Sequence, residues 1–281
     1  LFRSPGEVLL MAAKDGGYDP QTGLDPSVKK AVPNCPSLDT VPDPASGSED
    51  AYRQDDASVA QRDWLSLEEH STQVRNHAEA LLDAIQPALS TELRQAVVTA
   101  AYAHDAGKCH DTWQDALCTL ALPEERERIE AGRPWAKSGR NGRLTYPHGG
   151  SFRHELVSLL LLDGPLRALL DDIEDPDLVR YLVLAHHGKL RLQVRGPDDT
   201  DPALLLGLKH GETVQMPSLL GQPPGELVVD LDQFSFGGDR SWTRTALQLR
   251  DRYGPFLLAY LETLVRIADW RASAELEEAT R

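Results

Sequence analysis

Cysteine is scarce in this chain. Three occur in 281 residues, Cys35, Cys109 and Cys118, and no two stand in a CxxC spacing. That excludes a disulfide scaffold and a thiolate zinc site, and it suits a reducing cytosol. No apolar run is long enough to cross a bilayer, so no transmembrane helix and no membrane partner are expected. The first residues lack the charged, apolar and small order of a signal peptide, which makes a cytoplasmic location the expectation. Basic residues are outnumbered, 29 Lys and Arg against 44 Asp and Glu, for a net charge of −15. A general nucleic-acid binder is thereby disfavoured, and any such role must rest on a local basic surface. There is no GxxxxGKS or GxxxxGKT phosphate loop, so ATP chemistry is not expected within the chain.

What is present divides the chain in two. Residues 1–63 hold seven of the 19 prolines within their first 44 positions, with frequent Asp, Ser and Gly. They read as an N-terminal extension or linker, with one short helix or strand at Glu7–Ala13 and irregular chain over about 15–60. Residues 64–281 read as one domain with a buried core, for which 41% hydrophobic residues suffice. Ser66-Leu67-Glu68-Glu69 fits a capping box, followed by helical spacing to Pro87. A second helix is expected from Ser90 to Gly107, a third over 111–120, and others over 153–162, 177–187, 242–253 and 255–278. Residues 189–240, rich in Gly and Pro, are expected to form a small irregular or β insert, with Leu227–Leu231 as a strand. The fold class is therefore mostly α, a helical bundle with a small irregular or β insertion.

The histidines are informative through their helical positions. His104 follows Ala100 by four, Val97 by seven and Leu93 by eleven residues, which puts it on the buried face. His186 follows Val183 and Val179 by three and seven, His70 follows Leu67 by three, and Asp269 follows Val265 and Leu261 by four and eight. Any one of these, alone, is more often a hydrogen-bonded core residue than a ligand. Four inward polar residues on four helices are costly to bury unless something common binds them, and a cation does so. His104-Asp105, Arg153-His154-Glu155 and His186-His187-Gly188 together read as a metal-dependent phosphohydrolase.

Five motifs spread over Trp64 to Ser273 carry a resemblance. They are Glu69-His70, His104-Asp105-Ala106-Gly107-Lys108, Arg153-His154-Glu155, His186-His187-Gly188, and Ala268-Asp269-Trp270-Arg271-Ala272-Ser273. In these the chain resembles the HD nuclease domain of the type I CRISPR-associated helicase-nuclease. Residues 254–262, leading into Ala268-Asp269-Trp270, look most like the type I-G form, in which the HD domain is C-terminal. The start at Leu1 and the run Gly16-Gly17-Tyr18-Asp19-Pro20 fit such a piece, with 1–63 as the tail of an upstream helicase region.

The resemblance implies an HD-domain bundle and a nuclease that cleaves single-stranded DNA in antiviral interference. It also implies two divalent transition metals. One would take His70, His104, Asp105 and Asp269, and the other Asp105, His154, His186 and His187, with Asp105 bridging. So imidazole-rich a set suits Mn, Fe, Ni or Co better than Mg. Lys108, just past the His-Asp pair, would hold a non-bridging phosphate oxygen, or else be an exposed lysine near a helix C-terminus. His77 shares a face with His70, and the family pattern selects His70. Cys109 reads as structural. The implied partners are single-stranded DNA, the helicase domain of a parent protein and a CRISPR surveillance complex.

A substrate path is sought in local charge. Residues 126–153 hold seven basic side chains against two acidic ones, with Trp135, Tyr146 and Phe152 between them. Arg133, Lys137, Arg140, Arg143 and Arg153, extended by Lys189 and Arg191, are the candidate contacts, with a solvated loop as the plainer reading. Two other functions stay open on the sequence: an HD-type nucleotide phosphohydrolase, and a non-catalytic module built on a decayed site.

Overall fold

The computed structural model describes residues 14, 16–19, 23–24, 27–31, 64–85, 88–138, 140, 142, 144–146, 152–188, 192, 194, 204–234 and 241–278, with side chains in the last helix to 274. Two compact units are present, Leu1–Asp55 and Asp56–Arg281. The first contains an antiparallel pair of short strands, β1 (Tyr18–Asp19) and β2 (Gly23–Leu24). The expected element at Glu7–Ala13 lies outside the described residues.

The second unit is mostly helical. In chain order it runs β3 (Leu65–Ser66), α1 (Leu67–Ala84), α2 (Thr91–Ala103), a 3₁₀ turn (Ala106–Cys109), α3 (Asp111–Cys118), α4 (Arg126–Ala131), β4 (Trp135–Lys137), α5 (His154–Asp163) and α6 (Pro176–Ala185). Two hairpins follow, β5 (Leu204–Leu205) with β6 (Leu208–Lys209) and β7 (Thr213–Met216) with β8 (Gly225–Val228). The chain closes with α7 (Trp242–Tyr253) and α8 (Pro255–Glu278).

Local chemistry accounts for the helix starts. Ser66 caps α1 by accepting from the Glu69 amide, and the Glu69 carboxylate returns to the Ser66 amide, so two otherwise unpaired donors are satisfied at once. Ser90, Asp175 and Ser241 cap α2, α6 and α7 by accepting from the Leu93, Leu178 and Arg244 amides, without the return bond, and Pro176 and Pro255 take first-turn positions that need no N–H donor.

Helix α5 is apolar almost all round, and every residue from His154 to Leu162 is buried. A helix of that kind belongs at the centre of a bundle. It packs on α6 and on the 3₁₀ turn, while α1 packs on α2 and α8, and α2 on α6. One continuous core results, from Leu67 and Val74 through Leu156–Leu162 to Leu261 and Val265.

Two expectations are corrected. Helix α2 stops at Ala103, not at Gly107, because the chain tightens into a 3₁₀ turn after His104 and Asp105. Gly107 is not a helix terminator. A Cβ there would lie 2.1 Å from the His154 carbonyl and 2.6 Å from the Ser158 amide, so glycine is needed for the turn to lie against α5. The basic stretch 126–153 is not merely a loop. It includes α4 and strand β4, which pairs antiparallel with β3 just ahead of α1.

Candidate metal centre

Asp105 sits in the tight turn after α2, and its two oxygens face opposite ways. Oδ2 lies 3.1 Å from His70 Nε2, 3.3 Å from His104 Nε2 and 2.8 Å from Lys108 Nζ. Oδ1 lies 3.0 Å from His154 Nε2 and 3.9 Å from His186 Nε2. On the first side Asp269 of α8 stands close by, its Oδ1 3.2 Å from His70 Nε2 and 3.8 Å from His104 Nε2, though it is not among the ligand atoms near enough to one another to share an ion there. On the second side His187 Nε2 approaches His154 Nε2 to 3.2 Å, and the His186 and His187 rings stand 4.0 Å apart. Two groups with ligand atoms close enough to share an ion follow: His70, His104 and Asp105, and Asp105, His154, His186 and His187. His77 is half-buried and belongs to neither group.

Helix ends set the imidazoles. His104 and His186 stand immediately after α2 and α6, and each directs Nδ1 at the carbonyl three residues back, Ala101 at 2.8 Å and Val183 at 2.7 Å. A carbonyl only accepts, so Nδ1 carries the proton and Nε2 is left as a lone pair aimed inward. His154 opens α5 and His70 lies in the first turn of α1.

The unsatisfied atoms test whether a cation fits. Both nitrogens of His70, Nε2 of His104, Nε2 of His186 and Oδ1 of Asp269 are buried with no hydrogen-bond partner. Buried polar atoms are rarely left so. Four of these atoms, Nε2 of His70, His104 and His186 and Oδ1 of Asp269, gather about the Asp105 carboxylate or the imidazoles beside it. Imidazole nitrogens and carboxylate oxygens left so are what metal ligation satisfies, and the residues fit the group.

Electrostatics agree. Burial favours protonation of Asp105, but His104 and Lys108 outweigh it, and the carboxyl stays well below its usual range. Burial likewise opposes ionisation of Asp269, yet His70, His104 and Lys137 hold it below the usual carboxylate range. Burial pushes His104 down, while Asp105 and Asp269 prevail and raise it. A field that favours a proton on that nitrogen favours a cation in the same place. His186 is lowered to about 4, chiefly by burial and then by the charge of His104, and His187 is held well below its usual value by burial, His186 and His154. Both are neutral near pH 7, the form that ligates.

The surrounding residues fall otherwise than the sequence suggested. Lys108 is not an exposed lysine. It is buried, ion-paired to Asp105 and set 4.9 Å from the Trp113 ring centroid. Arg153, expected on the substrate path, is buried and paired with the wholly buried Glu155 at 3.3 Å. Lys137, expected there too, is also buried and donates to Ser273 Oγ, one turn beyond Asp269. These two cations therefore do not line an open groove. Arg133 stays partly exposed but pairs with Asp115 and Glu130, each at 2.8 Å, and Arg140 pairs with Glu125 at 2.9 Å. Arg143, Lys189 and Arg191 lie outside the described residues. Phe152 is buried, and Trp135 packs edge-on against Trp64 and donates to the Ile129 carbonyl. The Cys109 thiol is pushed up to about 12 by burial and the Asp111 charge, so it is no nucleophile.

Gln114 is a supporting residue that the sequence reading does not name, and Lys137 is named there only as a candidate contact to DNA. Gln114 donates to the Lys108 and Trp135 carbonyls and accepts from the Trp135 amide, which ties the 3₁₀ turn to β4. Lys137 reaches α8 from β4. No pattern of spacing marks either, because each acts across elements distant in the chain.

Residues 53–276 match the family model described as Cas3, HD domain. The chain belongs to this family. A 150-residue stretch is 32% identical to a protein of Myxococcus xanthus (strain DK1622) described as "Putative CRISPR-associated nuclease/helicase Cas3". That alignment covers 52% of this chain and 17% of the Myxococcus protein, so the chain spans only a part of the length of this relative. No solved structure matches the chain. This Cas3 HD domain thus carries its histidine and aspartate groups in positions able to hold metal. Among its described residues no helix is long and apolar enough to cross a membrane.

Proposed function

We propose that this HD domain is the metal-dependent nuclease of a CRISPR interference protein, and that it cleaves single-stranded DNA at a two-metal centre. The observation that carries the reading is Asp105, with one carboxylate oxygen toward His70 and His104 and the other toward His154 and His186. A single-ion site has no need of a carboxylate divided in this way.

The assignment gives His70, His104, Asp105 and Asp269 to one ion, and Asp105, His154, His186 and His187 to the other. Five imidazoles among the donors suit Mn, Fe, Ni or Co better than Mg. Two such ions, when bound, supply Lewis acidity at the phosphorus and an activated water for in-line displacement.

The chain's own residues set the conditions for that chemistry. Lys108 keeps Asp105 ionised and fixed in orientation, and a non-bridging phosphate oxygen reaching the centre would share its ammonium. The Nδ1 bonds of His104 and His186 hold the two rings so that Nε2 faces the reacting space. Lys137 and Ser273 steady the turn of α8 that presents Asp269. Of the basic residues considered for the strand's approach, Arg133 and Arg140 are the described ones still partly exposed.

The domain is taken as residues 64–281, with 1–63 the end of an upstream region, a C-terminal placement of the type I-G kind. Its partners are then the helicase region of a parent protein and a surveillance complex, in the cytoplasm.

The deciding experiment adds Mn, Ni, Co, Fe or Mg to metal-stripped protein with circular single-stranded DNA, and uses Asp105→Ala as control. Linearisation that needs a transition metal and is lost in the variant supports the reading. Intact circles beside hydrolysed free nucleotides would make the domain a nucleotide phosphohydrolase. Failure to bind any of the metals would make it a non-catalytic module.

A further inference from the structure

The candidate centre is closed on most sides. Side chains of His70 and His104 expose 0% of their surface, and Asp105 exposes 3%. Asp269 exposes 14%, and His187 is also only partly buried. Asp269 and His187 are thus the least enclosed residues of the set, although the Asp269 oxygen facing His70 is itself buried. The residues beside Asp269 on α8 border this least enclosed edge.

The next residue is Trp270, whose surface is 59% exposed. Arg266, one turn before it, sets its guanidinium 5.2 Å from the indole centroid. On a helix both lie to the same side of Asp269, about 60° and about 100° round the axis at about 100° per residue, and so close to each other. Over 255–274 the only acidic residues are Asp269 itself and Glu262, which is buried and accepts from the Tyr181 hydroxyl. In a chain of net charge −15, Arg266 and Trp270 thus have no exposed carboxylate beside them among the described side chains of this helix.

We propose that Trp270 and Arg266 form a stacking rim that receives single-stranded nucleic acid at the mouth of the metal centre. An exposed indole held by an arginine is a flat platform for any base, and the guanidinium attracts the phosphate that follows it. The placement makes the rim specific to an unpaired strand, because a base stacked in a duplex has no free face to offer. This inference rests on the nuclease reading and assigns the surface that delivers substrate to it.

The competing use of the face is protein docking. Phe256 and Tyr260 are 91% and 40% exposed on the same helix. They stand about 21 and about 15 Å along the axis from Trp270 at 1.5 Å per residue. They continue an apolar side on which a partner helix could lie, but they are remote from Asp269, and among the described residues no arginine is placed over either.

The test separates binding from chemistry. Fluorescein-labelled oligo-dT is titrated into metal-stripped protein and followed by anisotropy, with folding of each variant checked by circular dichroism. Trp270→Ala should weaken binding about tenfold, and Trp270→Phe should stay within about threefold because its ring still stacks. Tyr260→Ala should leave binding unchanged. Cleavage by the metal-loaded Trp270→Ala protein should show a raised KM with kcat retained. If wild type binds and cuts while Trp270→Ala does both equally well, the rim is overturned and the nuclease reading stands. An equal loss in Tyr260→Ala overturns it as well and returns the face to docking. If wild type neither binds the oligonucleotide nor cuts DNA, both readings fall together.

Discussion

The Lys108 ammonium lies 2.8 Å from Asp105 Oδ2, and each side chain exposes only 3% of its surface. The lysine and aspartate are three residues apart, in one 3₁₀ turn, and neither has room to reach water. Removing one partner of a buried ion pair leaves the other charge uncompensated, which costs far more than the pair itself contributes.

Asp105→Ala in the metal-free protein should therefore lose about 3–5 kcal/mol of stability. Lys108→Met alone should cost less, since histidines still surround Asp105. The double variant should recover part of the loss, with a coupling of about 1–3 kcal/mol in a urea-denaturation cycle. Strict additivity would show that the two groups do not act as a pair.

Gly107 should tolerate no side chain. Ala at this position sets a methyl against the His154 carbonyl and the Ser158 amide, both backbone atoms of α5. It also disturbs the 2.8 Å bond from the Gly107 amide to Ser158 Oγ. Overpacking of this kind costs about 1–3 kcal/mol. Because His154 opens α5, metal content measured by mass spectrometry should fall along with the melting temperature. A variant that melts like wild type would show that the turn can move away.

Lys137→Met should weaken metal binding without touching a ligand. The ammonium bonds to Ser273, whose hydroxyl donates to the Asp269 carbonyl, and its charge helps keep Asp269 ionised. Groups supporting a ligand in this way are worth about 10–100-fold in affinity. Calorimetric titration with Mn should show that loss, and the loss should grow as the pH is lowered and protons compete for Asp269. Unaltered affinity at every pH would remove Lys137 from the centre.

Acid should destabilise the metal-free protein in a definite window. His186 has a folded pKa of about 4, set first by burial, against 6.5 for a free imidazole. Between those values the unfolded chain binds a proton that the folded chain refuses, so stability rises with pH. The contribution is complete above about 6.5 and is lost as the pH falls towards 4. His187, lowered in the same direction, adds to it. Urea midpoints at pH 7 and pH 5 should differ more for wild type than for His186→Gln. Equal differences would mean that His186 is solvated in the folded chain.

Local chemistry was readable wherever a residue's role depends on near neighbours. Ser66 and Glu69 form the expected capping box, and Pro176 and Pro255 open helices. Spacing alone put His70, His104, His186 and Asp269 on inward faces, and the fold places them about a single carboxylate. Charge counting failed over 126–153 for an equally physical reason. Composition cannot tell a solvated cation from a buried one. Lys137 and Arg153 are buried because Ser273 and Glu155 meet them there, and neither pairing follows from the run of arginines. The end of α2 was missed because Gly107 looked like a terminator, whereas its lack of a side chain serves contact with a helix 47 residues further on.

By itself, then, the order of residues determined which helices form and which side chains point inward, since capping and periodicity act within a few positions. It also supplied the His and Asp motifs by which the family is known. Only the tertiary structure decided that Asp105 divides its oxygens between two groups and that Lys108 and Lys137 are interior cations. Those facts depend on the meeting of α1, the turn after α2, β4, α5, α6 and α8, whose contacts join residues up to about 200 positions apart. Burial and packing set such distances, and no local pattern in the chain encodes them.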